Sequence, residues 1–292
     1  MPAFILLVVL IGCPGPGEIR CGAEEIRVEH LQPSSIRIKL ADLPPPYQTQ
    51  SATNPPRVVP PPKSPVLRVP PGFRVNRFAA VDSARWLALS PDGEVLCAAS
   101  RNEKIHLLED RDGDGVAERQ SVFLDKALGA NLPFGMAFTK DHFYLGNTDA
   151  VLRYPYQRIA DKAGKKYRLG KPERVATLPG QGYHQHWTRN VVVSPDGTKL
   201  YVSVGSASNA SPEPLPRASV LQMNLDGSDR KVFAFGLRNP VGLAFHPKTG
   251  ALYATVNERD ELGDDLVPDY LARLEEGEFY GWPYAYLSSK NL

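Results

Sequence analysis

An all-β fold of the propeller class is what this sequence predicts, and three observations carry the reading. One phrase occurs four times: RWLALSPDGEVLCAAS, FGMAFTKDHFYLGN, RNVVVSPDGTKLYVSVGS and VGLAFHPKTGALYATVN. Each joins two short apolar strands through a tight turn. The last apolar residues before the turns are Leu89, Phe138, Val193 and Phe245, at separations of 49, 55 and 52 residues. That period suits one propeller blade with decorated loops and disfavours a β-sandwich built with similar turns. Third, 28 prolines and 24 glycines in 292 residues favour many turns over long helices.

In chain order, residues 1–23 open with MPAFILLVVLIGC, an apolar run of signal-peptide length that is too short to span a bilayer. Leu10-Ile11-Gly12-Cys13 resembles a lipobox, which would lipidate Cys13; cleavage near Cys21-Gly22-Ala23 is the competing expectation. Export follows from either, to the periplasm or to a membrane-anchored lipoprotein. Residues 24–71 carry LPPPYQTQ, NPPRVVPPP and VPPGF, and predict an extended strap or tether. Residues 72–292 hold the repeats. Between the phrases, Ile105–Leu108, Val122–Leu124, Val151–Tyr154, Val175–Leu178, Val220–Asn224 and Val232–Phe235 predict the outer strands. About four blades result, the last running into LVPDYLARLEEGE, which is helix-capable.

Composition narrows function. The 34 Lys+Arg balance 32 Asp+Glu, so the chain lacks the basic footprint of a nucleic-acid binder. Three cysteines make no disulfide framework, and Cys97, inside an apolar strand, is expected in the core. No phosphate-binding loop, GxSxG elbow or zinc spacing occurs.

Three polar stretches fall at equivalent ends of the inner strands: YHQHWTRN, GLRNP (236–240) and NERDELGDD (257–265). A neutral imidazole from His184 or His186 suits proton abstraction near pH 7, although a lone histidine there also serves as a structural group. Trp187 either shields the site or packs between blades. Arg189 is a fixed cation for a carboxylate or a blade-to-blade ion pair. Arg238 offers a fork of donors beside Asn239, whose backbone Pro240 holds extended. Glu258, Asp260, Glu261, Asp264 and Asp265 supply hard oxygen ligands suited to Ca²⁺, or a solvated acidic loop. A second acidic run, Asp110-Arg111-Asp112-Gly113-Asp114-Gly115-Val116-Ala117-Glu118, matches positions 1, 3, 5 and 6 of a calcium loop, with Ser121 at position 12. It suggests a calcium-stiffened hairpin.

These residues resemble a known family. HWTRNVVVSPDGTKLYVSVGSASN, GLRNPVGLAFHPKTGALYATVNERDELGDDLVPDYL and EGEFYGWPY are similar to the glucose/sorbosone dehydrogenases, in particular the sorbosone-dehydrogenase-like branch. LLEDRDGDGVAERQSVF and the PFGMAF…LGNTDAVLRYPY pair share that likeness, which covers about residues 72–287. The resemblance implies a six-bladed propeller, of which this chain holds about four blades and looks truncated at its C-terminus. It implies a quinoprotein that binds pyrroloquinoline quinone (PQQ) with Ca²⁺ and oxidises a sugar or sugar-derived aldehyde outside the cytoplasm. A cytochrome or quinone would take the electrons onward. It places the base at His186, with His184 as runner-up, while hydride passes to the quinone. Arg238 and Asn239 would meet the cofactor, with Arg189 and Glu258 beside them. Arg259 and Asp260 would hold Ca²⁺ by their backbone, with Asp264 and Asp265 near. A non-catalytic exported propeller that binds a glycan or protein, and a calcium-dependent lactonase, are the alternatives.

Overall fold

The computed structural model describes residues 4–7, 26–52, 57, 59–60, 66–159, 167–180 and 186–287. It is all-β. Ahead of the blades come β1 (Phe4–Leu7), β2 (Arg27–His30), β3 (Val66–Val69) and β4 (Asn76–Ala80). β2 pairs with β3 in parallel and β1 with β4 in antiparallel register.

Four antiparallel sheets follow, each built on one of the repeated phrases. Blade 1 is β5 (Ala84–Leu89), β6 (Val95–Ala99), β7 (Lys104–Glu109) and β8 (Arg119–Asp125), hydrogen-bonded in that order. Blade 2 is β9 (Met136–Phe138), β10 (His142–Asn147) and β11 (Ala150–Arg158), with β12 (Tyr167–Leu169) and β13 (Glu173–Thr177) on β11. β11 is long enough to pair with β12 through its C-terminal half and with β13 through its N-terminal half, so this blade has five strands. Blade 3 is β14 (Val191–Val193), β15 (Lys199–Val204), β16 (Ser219–Asn224) and β17 (Lys231–Phe235). Blade 4 is β18 (Asn239–Phe245), β19 (Leu252–Asn257) and β20 (Tyr270–Leu274).

The turn chemistry explains the repeated SPDG. In both copies the Ser accepts the glycine N–H, Gly93 to Ser90 at 3.0 Å and Gly197 to Ser194 at 2.8 Å. Both glycines take φ of +88° and +72°, a region an L side chain resists. The inner strands β5, β9, β14 and β18 lie against one another in that order. Second strands such as β6 and β15 are buried on both faces, which is why they are apolar without alternation.

The core lies between blades. Leu96, Ile105 and Phe123 of blade 1 pack on Phe143, Leu145 and Tyr154 of blade 2. Val151 and Val175 of blade 2 meet Val202 and Leu221 of blade 3. Tyr201 and Val220 of blade 3 meet Leu243 and Ala254 of blade 4. The other face of blade 1 is covered by Phe78 of β4 and Val81, against Val95, Cys97 and Leu108. Cys97 is fully buried, and burial pushes its thiol up to about 12. Cys97 is therefore expected to resist alkylation in the native protein and to react once denatured, read by peptide mass mapping.

One expectation is corrected. The helix-capable run is the strand β20. Its burial alternates, with Ala272 and Leu274 inward and Leu271 and Arg273 outward, so its period of two fits the edge of β19. Of the two alternatives for the Pro-rich segment, its described residues take the strap across the folded body. Leu43 packs beside Leu262, Leu266, Val267 and Tyr286, and residues 47–52 bond to the loop after β19. Cys13 and Cys21 lie outside the described residues, as does His184.

Candidate active site

The site forms where four chain segments leave or enter blades 3 and 4 at one end. In an antiparallel pair, the start of an inner strand and the finish of its neighbour share an end. The approach to β14 carries His186, the approach to β18 carries Arg238, and β18 opens with Asn239. The exit of β15 carries Gly205 and Ser206, and the exit of β19 carries Glu258 and Asp260.

The segments touch. A Cβ placed on Gly205 would lie 2.5 Å from both the His186 Cβ and the Asn239 Oδ1, so only glycine allows them to close in on this strand. The Ser206 N–H donates to the Arg238 carbonyl at 2.7 Å. His186 Nδ1 lies 3.0 Å from Ser206 Oγ. Arg238 is buried, and its Nε donates to the Asn209 carbonyl at 3.0 Å. One terminal nitrogen donates to the Glu258 carbonyl at 2.6 Å and the other to Asp260 Oδ2 at 2.8 Å. Three of the five guanidinium N–H groups are thereby used, leaving two without a partner among the described residues.

Asn209 is the hub of this arrangement. Its side chain donates to the Asp260 carbonyl at 3.1 Å and accepts the Asp260 N–H at 2.9 Å. Its own carbonyl also accepts the Trp282 indole N–H at 2.9 Å. Behind, Asp269 accepts from the Asn257 side chain at 2.6 Å and from the Glu258 N–H at 3.0 Å, fixing the exit of β19.

The electrostatics favour a neutral imidazole. Burial lowers the His186 pKa below its usual 6.5, and the Arg238 cation lowers it further, against opposing pulls from Ser206, Glu213 and Asp260. Burial raises the Glu258 carboxyl. Two buried acceptors, Asn239 Oδ1 and Glu258 Oε2, have no hydrogen-bond donor among the described residues. Such oxygens beside a strand end suit a bound cation, and the two spare N–H groups of Arg238 suit one carboxylate. The residues present therefore fit an anionic cofactor held with a divalent cation.

Other expected site residues go elsewhere. Arg189 is buried at 1% exposure, but its guanidinium donates to the carbonyls of His186, Thr188 and Pro179 at 2.6, 2.8 and 2.9 Å. It braces the loop from within the wall and, among the described residues, forms no ion pair, because those carbonyls have no strand partner and need donors. Trp187 packs edge-on to Phe134 at 6.0 Å, with the Arg85 guanidinium 5.7 Å from its ring.

Of the expected backbone ligands, the Arg259 carbonyl accepts the Val267 N–H and the Asp260 carbonyl accepts Asn209. Asp264 Oδ1 accepts the Ala52 N–H at 2.8 Å, so the strap engages it rather than the group around His186. Asp265 is exposed.

Asp110, Asp112 and Asp114 form a separate cluster on the β7–β8 connection, joined by Glu118, with ligand atoms within 4.8 Å of one another. Glu118 follows as the ninth loop residue. Ser121, the twelfth, is held within β8.

The sequence reading passed over Ser206, Asn209 and Glu213. The signal was available: SASNASPEP leaves β15 at the same blade position from which NERDELGDD leaves β19.

Comparison with known proteins agrees with this architecture. A curated but uncharacterised protein of Borreliella burgdorferi is 27% identical over 228 residues, covering 75% of this chain and 57% of its own. The calcium structure of the Trichoderma reesei carbohydrate-active enzyme family AA12 superposes with a TM-score of 0.57 at 19% identity, over 71% of this chain and 57% of that one. The PQQ-bound aldose sugar dehydrogenase of Streptomyces coelicolor superposes with a TM-score of 0.53 at 22% identity, over 70% of this chain and 64% of that one. The chain thus spans less than two thirds of each relative's length, and the structural likenesses establish the shared propeller fold. The TrAA12-like family model matches residues 67–268, from β3 through the first three blades and strands β18 and β19 of the fourth to the loop that closes over Arg238, and the chain belongs to that family.

Proposed function

We propose that this chain carries the base-bearing side of a sugar oxidoreductase site, in which His186 takes the proton of a sugar hydroxyl. The observation behind this reading is the meeting of His186, Arg238 and Asn239 on the Gly205–Ser206 strand end. An imidazole kept neutral by burial and by a neighbouring guanidinium is ready to accept a proton at neutral pH. A sugar-derived aldehyde, including one of the sorbosone type, would offer such a hydroxyl as its hydrate.

PQQ, bound in the Streptomyces coelicolor relative, with a calcium ion, present in the Trichoderma reesei structure, would supply the two-electron acceptor. Arg238 and Asn239 are the residues of this chain that would hold it, with Asn239 Oδ1 and Glu258 Oε2 as oxygens for the cation. Arg238 cannot lose its proton, so it keeps a fixed positive charge beside the imidazole throughout. The Asn209 carbonyl, itself fixed by the Trp282 indole N–H, holds that charge in place.

Reduction of an acceptor dye by aldoses is expected after incubation with PQQ and Ca²⁺, and no reduction without them. A loaded protein that shows a bound-quinone spectrum yet reduces no dye with any sugar or sugar aldehyde would overturn the reading. Electron delivery to a cytochrome or membrane quinone, and export through the N-terminal apolar run, belong to the same proposal. Cell fractionation, with mass spectrometry of the mature N-terminus and of Cys13, tests the location. Among the described residues, no helix is long and apolar enough to cross a membrane.

A further inference from the structure

We infer that the loop Ser206–Glu213 is a positioning device that fixes the tautomer of His186, with Ser206 as the contact and Glu213 as its anchor. The inference rests on the reading of His186 as the base.

Hydrogen-bond accounting carries it. Ser206 Oγ has one proton and lies 2.7 Å from the Ser208 carbonyl, which can only accept. The hydroxyl proton is therefore spent. Ser206 Oγ can only accept from His186 Nδ1, 3.0 Å away, so Nδ1 carries the hydrogen and Nε2 keeps its lone pair. Ser206 is fully buried, and its backbone N–H is tied to the Arg238 carbonyl, so the hydroxyl has little freedom to turn away.

The Ser208 carbonyl stays in place because Glu213 holds the loop. Its carboxylate accepts the Ala207 N–H at 2.7 Å, the Ser208 N–H at 2.5 Å and the Ser208 hydroxyl at 2.6 Å. Three donors on one carboxylate make a charge-assisted clamp across the loop from Ala207 to Glu213. The same loop presents Asn209 to Arg238 and Asp260, so one anchor sets both the imidazole and the guanidinium. The charged groups acting on His186 are Arg238, Glu213 and Asp260.

The test is long-range ¹H–¹⁵N NMR of the histidine side chains in the protein without PQQ, at neutral pH, with His186 assigned through His186→Gln. Wild type is expected in the Nδ1–H form. Ser206→Ala should move it toward Nε2–H, and Ser206→Thr should restore it. Glu213→Gln, which keeps the shape and removes the charge, should give a partial shift. A wild-type Nε2–H form overturns the proposal, as does an unchanged tautomer in a Ser206→Ala protein that melts normally. If Ser206→Ala does not fold, the wild-type spectrum and Glu213→Gln decide.

In the loaded protein, Ser206→Ala should lower kcat about tenfold at unchanged KM, what one lost hydrogen bond is worth. The two readings fail separately. An Nδ1–H imidazole in a protein that oxidises no sugar sinks the proposed function alone. A sugar-oxidising protein with the other tautomer sinks only the positioning role.

Discussion

His186→Ala is expected to lower the turnover of the PQQ- and calcium-loaded protein by about 10²–10⁴-fold, the range for removal of a general base. KM should change little, because the imidazole is assigned to the transfer rather than to holding the sugar. The pH dependence follows from the sign of the shift. Burial and Arg238 place the His186 pKa below 6.5, so the base form is present above that pH and disappears below it. The rate should rise with pH along an acid limb centred below 6.5 and then level off. Arg238→Gln removes the cation that disfavours imidazolium, so the limb should move to higher pH, while Arg238→Lys should hold it nearer its original place. Stopped-flow dye reduction across pH gives both results. An acid limb that Arg238→Gln leaves unmoved would show that the two groups are not coupled as the structure places them.

Gly146→Ala is the second large effect, and it acts on the fold. A Cβ there would lie 2.2 Å from the Arg189 carbonyl oxygen and 2.9 Å from Val191. The obstacle is backbone, held by the Gly135 N–H at 3.0 Å, so it cannot swing aside as a side chain would. Overpacking of this kind costs about 3 kcal/mol or more. For a chain of this size, that is a fall in Tm of roughly 6–12 °C. Gly197→Ala is the control. Its Cβ would meet open space, leaving only the strain of a left-handed φ, about 1 kcal/mol. Calorimetric melting that shows equal losses in the two variants would contradict the close approach of blade 2 to the Arg189 segment. A destabilised Gly146→Ala protein should also lose activity, because that segment carries His186.

Much of this was legible in the sequence. Four copies of strand, tight turn and strand at a spacing near 50 residues specify blades, because a turn with glycine at positive φ, present in three of them, leaves few alternatives to a hairpin. The outer strands followed from short apolar runs. LVPDYLARLEEGE misled because its apolar residues suit either period, and only docking against β19 chose two over 3.6. That YHQHWTRN, GLRNP and NERDELGDD gather at one end of the blades was legible too, since the start of one strand and the end of its hairpin partner must share an end.

What the sequence alone determined is the blade repeat and the end of the blades at which polar residues gather, both consequences of local periodicity and turn chemistry. Tertiary structure decided which of those residues face one another. Arg189 looks like a ligand clamp in one dimension and is a brace in three, because the unpaired carbonyls of its own loop surround it. Asp264 is engaged by a strap more than 200 residues earlier in the chain, and Ser206 gains its meaning only from the imidazole that Gly205 allows to approach. Hydrogen-bond partners are assigned by which buried donors and acceptors are left over once the chain has packed, and no reading of spacing can anticipate that remainder.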